Sequence, residues 1–71
     1  MNEPREVIII TKQDRRGQII GTVRDAETND LMIAATLDYC LDQCAIRQLE
    51  ITNAQHVLMM LHNQKRINYE V

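Results

Sequence analysis

Tryptophan and phenylalanine are absent from this 71-residue chain, and Tyr39 and Tyr69 are its only aromatic side chains. Proteins that grip single-stranded nucleic acid stack bases on interleaved aromatic rings, so the scarcity counts against that mode. Glycine is equally sparse: Gly17 and Gly21 are the full complement, and neither stands in a phosphate-cradling or dinucleotide-binding pattern. Cys40 and Cys44, the only cysteines, allow one internal bridge at most. Apolar runs extend over a few residues, far short of the roughly 20 that cross a bilayer, so no membrane span is expected. Lys and Arg are missing between Asp25 and Ile46, where the charges are Asp25, Glu27, Asp30, Asp38 and Asp42. One flank should therefore be acidic, within a net charge of −2.

What is present fits one small domain spanning residues 1–71, without repeat, linker or low-complexity tract. A chain this short buries a smaller share of its surface than a full-sized domain, so its stability margin is thin and association is a natural remedy. Met1 to Arg5 leads straight into strand-like sequence with no secretory leader pattern, so a reduced, cytoplasmic protein is expected.

Glu6 to Thr11 carries the block Val7-Ile8-Ile9-Ile10, apolar on both faces, as in a central strand covered on two sides. The polar stretch from Lys12 to Gly17 supplies a turn, and Gln18 to Arg24 should return as the partner of a hairpin. Thr28 or Asn29 is suited to cap a helix from about Asp30 to Ala45. Ile33, Ala34, Leu37, Cys40, Leu41 and Cys44 would form its inward stripe. Arg47 to Thr52 alternates like a half-buried strand. Thr52 or Asn53 would cap a second helix running to about Lys65, with Ala54, Val57, Leu58 and Leu61 inward. Ile67, Tyr69 and Val71 then alternate as a short last strand. The expected fold is α+β, in the order ββαβαβ: a two-layer sandwich of a mixed or antiparallel sheet with two helices on one face.

Cys40, Cys44, His56 and His62, spaced C-x3-C-x11-H-x5-H, lie just outside the arithmetic of a zinc finger. Four ligands must converge tetrahedrally on one ion. Here both cysteines fall on the inward helix stripe, while the histidines are six residues apart and diverge by about 240° around a helix. Buried reduced cysteines are the expectation, with no metal or other cofactor, and a zinc-stabilised domain is the alternative. Neither cysteine has a cation on its predicted face to activate it as a nucleophile. Asp38 and Asp42, at i and i+4, share a solvated face rather than the contrasting environments that acid–base catalysis needs. The chain is expected not to be an enzyme.

Apolar residues are in surplus on faces that should be wet. Met32 and Tyr39 would lie opposite the core stripe of the first helix, and Met59 and Met60 outside that of the second, grouped with His56 and Asn63. Tyrosine and methionine favour interfaces. With Asp38 and Asp42, these six residues form the expected partner-binding set. The function expected is that of a small regulatory or adaptor protein that binds another protein through its outward helix faces and forms a homodimer, with its acidic flank able to mimic or inhibit at a basic site. The alternative is a nucleic-acid-binding regulator using Lys12, Arg15 and Arg16 at the hairpin tip.

Overall fold

The computed structural model describes residues 5–69, with side chains through Asn63. Strand β1 (Glu6–Gln13) pairs antiparallel with β2 (Ile19–Asp25), from Val7 opposite Asp25 to Gln13 opposite Ile19. The hairpin reverses at Asp14. Its carbonyl accepts from the Gly17 N–H at 3.0 Å, its carboxylate accepts from the N–H groups of Arg16 and Gln18 at 2.9 Å, and Gly17 takes φ 84°. Glycine reaches that region without the steric penalty of a Cβ, and a turn closed by a left-handed residue matches the strand twist. The hairpin follows the sequence expectation, with β1 running on to Gln13 and β2 shifted by one residue, from Ile19 to Asp25.

The next segment does not. Residues Leu31–Thr36, expected as the first turns of a helix, form strand β3, antiparallel to β2 with Ile33 opposite Val23 and Ala35 opposite Gly21. Asp25 is the reason. Its carboxylate accepts from the N–H groups of Glu27 at 2.8 Å and Thr28 at 3.1 Å, and its carbonyl accepts from Asn29 at 2.8 Å. Asn29 adopts φ 66°, so Thr28 and Asn29 close a hairpin loop instead of capping a helix. Asparagine tolerates the left-handed region better than most residues. Met32 is the extra residue where the register shifts between Val23 and Arg24.

Helix α1 (Leu37–Ile46) therefore starts late, capped by the Thr36 hydroxyl, which accepts from the Tyr39 N–H at 3.4 Å. It ends in a 6→1 and 5→2 pair: Leu49 N–H to the Cys44 carbonyl at 2.8 Å and Gln48 N–H to that of Ala45 at 3.2 Å. Gln48 sits at φ 58°, a position usually given to glycine. Strand β4 (Glu50–Ile51) is shorter than the expected strand over 47–52 and runs parallel to β1, Glu6 beside Glu50 and Val7 beside Ile51. Asn53 extends that ladder with its side chain. Oδ1 accepts from the Ile9 N–H at 3.1 Å and Nδ2 donates to the Ile9 carbonyl at 2.7 Å, so this amide serves the sheet and not the helix cap expected of it.

Helix α2 (Ala54–Tyr69) continues through Ile67 and Tyr69, which removes the expected last strand; Val71 and the Lys65 side chain lie outside the described residues. The order is βββαβα, not ββαβαβ, in a four-stranded mixed sheet β3-β2-β1-β4. The chain is α+β, with β1 central as expected. Leu37, Cys40 and Cys44 of α1 and Val57 of α2 join Val7, Ile9, Ile19, Val23 and Ile33 in one buried cluster. All five strand residues point to one face of the sheet.

Candidate protein-binding surfaces

Rotation by 100° per residue sorts α1 into two sides. Leu37, Cys40 and Cys44 are buried, whereas Asp38, Tyr39, Asp42 and Ile46 are exposed. On α2, Val57 is buried, Ala54, Met60 and Leu61 are half-buried, and His56, Leu58, Met59, His62 and Asn63 are exposed. The residues of the expected partner-binding set differ in exposure. Tyr39, Asp38, Asp42, His56, Met59 and Asn63 face solvent, whereas Met32 and Met60 are half-buried. Met32 lies on β3, not on a helix, and packs half-buried against the core. Met60 also packs against the core, and Leu58, placed on the inward stripe by its spacing, is 58% exposed beside Met59 at 60%. The α2 stripe is rotated from the expected one because Val57 joins the buried cluster and Met60 and Leu61 pack against it.

A second apolar surface had not been assigned from the sequence. β1 alternates Val7 and Ile9 inward with Ile8 and Ile10 outward, and these two are 37% and 52% exposed, with Leu31 of β3 at 55%. The block that reads as a strand covered on both faces is covered on one. Its signal was legible all the same, since an uninterrupted β-branched run asks for cover on two sides.

The cysteines are free thiols buried between α1 and the sheet. Cys40 Sγ donates to the Gly21 carbonyl at 3.4 Å, and a Cβ built on Gly21 would lie 3.1 Å from that sulfur. The missing side chain at Gly21 is what lets α1 sit this close to β2. Burial pushes both thiols up, with a smaller opposing contribution from the Ala35 backbone at Cys40. At Cys44 burial and the neighbouring Cys40 both raise it, while Arg47, a cation the sequence reading had overlooked, pulls the other way. Elevated, buried thiols are poor nucleophiles. His56 and His62 are exposed on α2, so the structure does not bring the four residues of the zinc alternative together. Among the described residues no cluster of three or more His, Cys, Asp or Glu could hold a metal ion.

Asp25 carries a perturbed carboxylate. The N–H groups of Thr28 and then Glu27 hold it below its ordinary range, with Arg5 Nε 3.4 Å from Oδ2 adding to them and burial opposing. It is a turn-forming group, which takes it out of the acidic flank. Lys12, Arg15 and Arg16 are exposed at one end of the β1–β2 hairpin, as the nucleic-acid alternative requires, around an Asp14 carboxylate engaged with the backbone. Among the described residues no helix is long and apolar enough to cross a membrane. Neither a protein-family model, nor a curated protein, nor a solved structure matches the chain.

Proposed function

We propose that this chain is a small, non-enzymatic regulatory or adaptor protein of the cytoplasm that binds another protein through the outward faces of α1 and α2 and associates with itself as a homodimer. On this reading the domain is a two-layer sandwich whose chemistry lies in its surfaces. The observation that carries it is the exposure of Tyr39 and Ile46 on α1, the helix that also presents Asp38 and Asp42, and of Leu58 and Met59 on α2, while the thiols are buried. Exposed apolar side chains sharing α1 with Asp38 and Asp42 suit a partner that offers apolar and basic groups together. Asp25 is spent on its own turn, so an acidic mimic would rest on Glu27, Asp30, Asp38 and Asp42.

Replacing Asp38 and Asp42 with Asn should slow association with such a partner and flatten its salt dependence with the fold intact. Proteins captured from the native host by the wild type, identified by mass spectrometry, supply the partner for that measurement. Capture that is indifferent to both this variant and Met59→Gln would sink the reading. Salt-dependent retention on a DNA or RNA column that disappears in Arg15→Ala/Arg16→Ala would instead favour the nucleic-acid alternative.

A further inference from the structure

The uncovered face of the sheet has a pattern that fits its own copy. Side chains at Glu6, Ile8, Ile10 and Lys12 share that face of β1, since strand side chains alternate and Val7 and Ile9 are inward. Across β2 and β3 the neighbouring rows are Ile8–Arg24–Leu31, Ile10–Thr22–Ala34 and Lys12–Ile20–Thr36. The centre is apolar and the ends of β1 carry opposite charges. Arg24 is drawn aside, its Nη1 donating to the Asn29 carbonyl at 2.9 Å. Three strands about 4.8 Å apart, rising about 3.3 Å per residue, spread this face over a few hundred Å², an expanse that single exposed side chains do not make.

The acidic end is also unbalanced. Glu6 stands beside Glu50 in the parallel register of β1 and β4, on the same face, because Val7 and Ile51 turn to the core side. Like charges directly opposite one another destabilise a sheet. Among the described residues neither glutamate has a cationic partner, the ion pair formed being Arg5 with Asp25. At the other end of the same row Lys12 is exposed.

We infer that two copies of this chain pack face to face through these sheets, β1 over β1 in opposite directions about a twofold axis. This rests on the reading that the chain self-associates and assigns the surface that does it. A twofold operator brings each residue to its complement. Ile8 of one copy meets Ile10 of the other, and Lys12 of each reaches the Glu6/Glu50 pair of its partner. Sheets packed in this way lie about 10 Å apart, their inner side chains interdigitating.

The test is mass by sedimentation equilibrium across concentration, with far-ultraviolet circular dichroism to check the fold. The wild type should be a dimer, and Ile8→Thr/Ile10→Thr, which keeps β-forming residues at exposed positions, should raise its dissociation constant about tenfold or more. Glu6→Lys and Lys12→Glu should each weaken the dimer, and the double reversal, which re-forms the Lys–Glu contact, should bind more tightly than either single variant. A wild-type monomer at all concentrations would overturn both the inference and self-association. A dimer unaffected by the isoleucine variant but broken by Leu58→Gln/Met59→Gln would overturn the inference alone, leaving a helix-face dimer. A double reversal no tighter than the single ones would overturn the opposed alignment of the strands. Should the isoleucine variant lose its fold, the charge cycle still decides.

Discussion

Cys40 and Gly21 are fitted to each other: the thiol donates to the glycine carbonyl at 3.4 Å, and the space a Cβ would need is already within 3.1 Å of the sulfur, 3.3 Å of Ile9 Cγ2 and 3.4 Å of Leu37 Cδ1. An added methyl must displace core atoms of three residues, Ile9 on β1 and Leu37 and Cys40 on α1. Overpacking of this kind costs about 1–3 kcal/mol, so Gly21→Ala should lower the urea midpoint markedly. Cys40→Ala alone should cost on the order of 1–2 kcal/mol through lost packing. Combined, the two should cost less than their sum, because removing the sulfur makes room for the methyl. Additive losses in that double-mutant cycle would show that the contact is not what limits the approach of α1.

The same burial governs thiol chemistry. With both groups pushed up by burial and covered by the core, Cys40 and Cys44 should react with an alkylating reagent at neutral pH far more slowly in the native protein than in urea. A chelator should leave the melting temperature unchanged. Stoichiometric zinc after purification, or unfolding by chelation alone, would instead establish the zinc-stabilised alternative.

Asn53 is the side chain on which the edge of β1 depends. Its amide satisfies the Ile9 N–H and carbonyl together, beyond the point where β4 stops. Asn53→Ala leaves two backbone groups on a buried residue without partners, a cost of about 1–3 kcal/mol. Asn53→Asp keeps the acceptor but loses the donor, placing a carboxylate against the Ile9 carbonyl, and should be no better. Faster hydrogen exchange at the Ile9 amide in Asn53→Ala would locate the loss; an unchanged rate and melting temperature would show the bonds to be dispensable.

Asp25 sets an acid limb. Its folded-state pKa is lowered, by the Thr28 and Glu27 N–H groups first, relative to the unfolded chain. The stability it contributes is therefore fully present above the ordinary carboxylate range and is lost as pH falls through the depressed folded value. Melting temperatures measured from neutral pH down into that range should fall for the wild type. Asp25→Asn, whose amide oxygen does not titrate, should show a lower plateau and a shallower fall. Parallel curves for the two proteins would remove Asp25 as the origin of the limb.

How much could be read from the sequence depended on how local the deciding interactions are. The β1–β2 hairpin was legible because Gly17 and the β-branched runs act within a few residues of one another. The strand at Leu31–Thr36 was not, since its Leu, Met and Ala residues suit a helix and only the ladder to β2, opened by the Asp25 loop, overrides that preference. The buried cysteines were placed correctly on α1 because their i, i+4 spacing holds wherever the helix begins. Ile67 to Tyr69 was misread for the opposite reason: alternation from Ile67 is too short a pattern to outweigh continuation of α2. Among surface residues, Tyr39, Asp38 and Asp42 followed from the α1 stripe, whereas Met32 depended on Leu31–Thr36 being a strand and Met60 on packing against the core that spacing does not reveal.

Met59 and Met60 separate the surface from the core within one dipeptide. Met59 is 60% exposed, while Met60 packs against the buried cluster with Leu61. A single stripe placing both outside predicted one shared phenotype; their different surroundings predict two. Met60→Gln puts a polar amide against apolar neighbours and should lower the melting temperature while any loss of binding merely follows the loss of fold. Met59→Gln should leave the melting curve in place and weaken partner binding, by about tenfold if the side chain is an anchor worth some 1.4 kcal/mol. Thermal unfolding and partner titration on both single variants give the answer. If Met59→Gln melts early, or binds as tightly as the wild type, the outward face of α2 is not a docking surface, and protein binding must be sought on α1 or the open sheet.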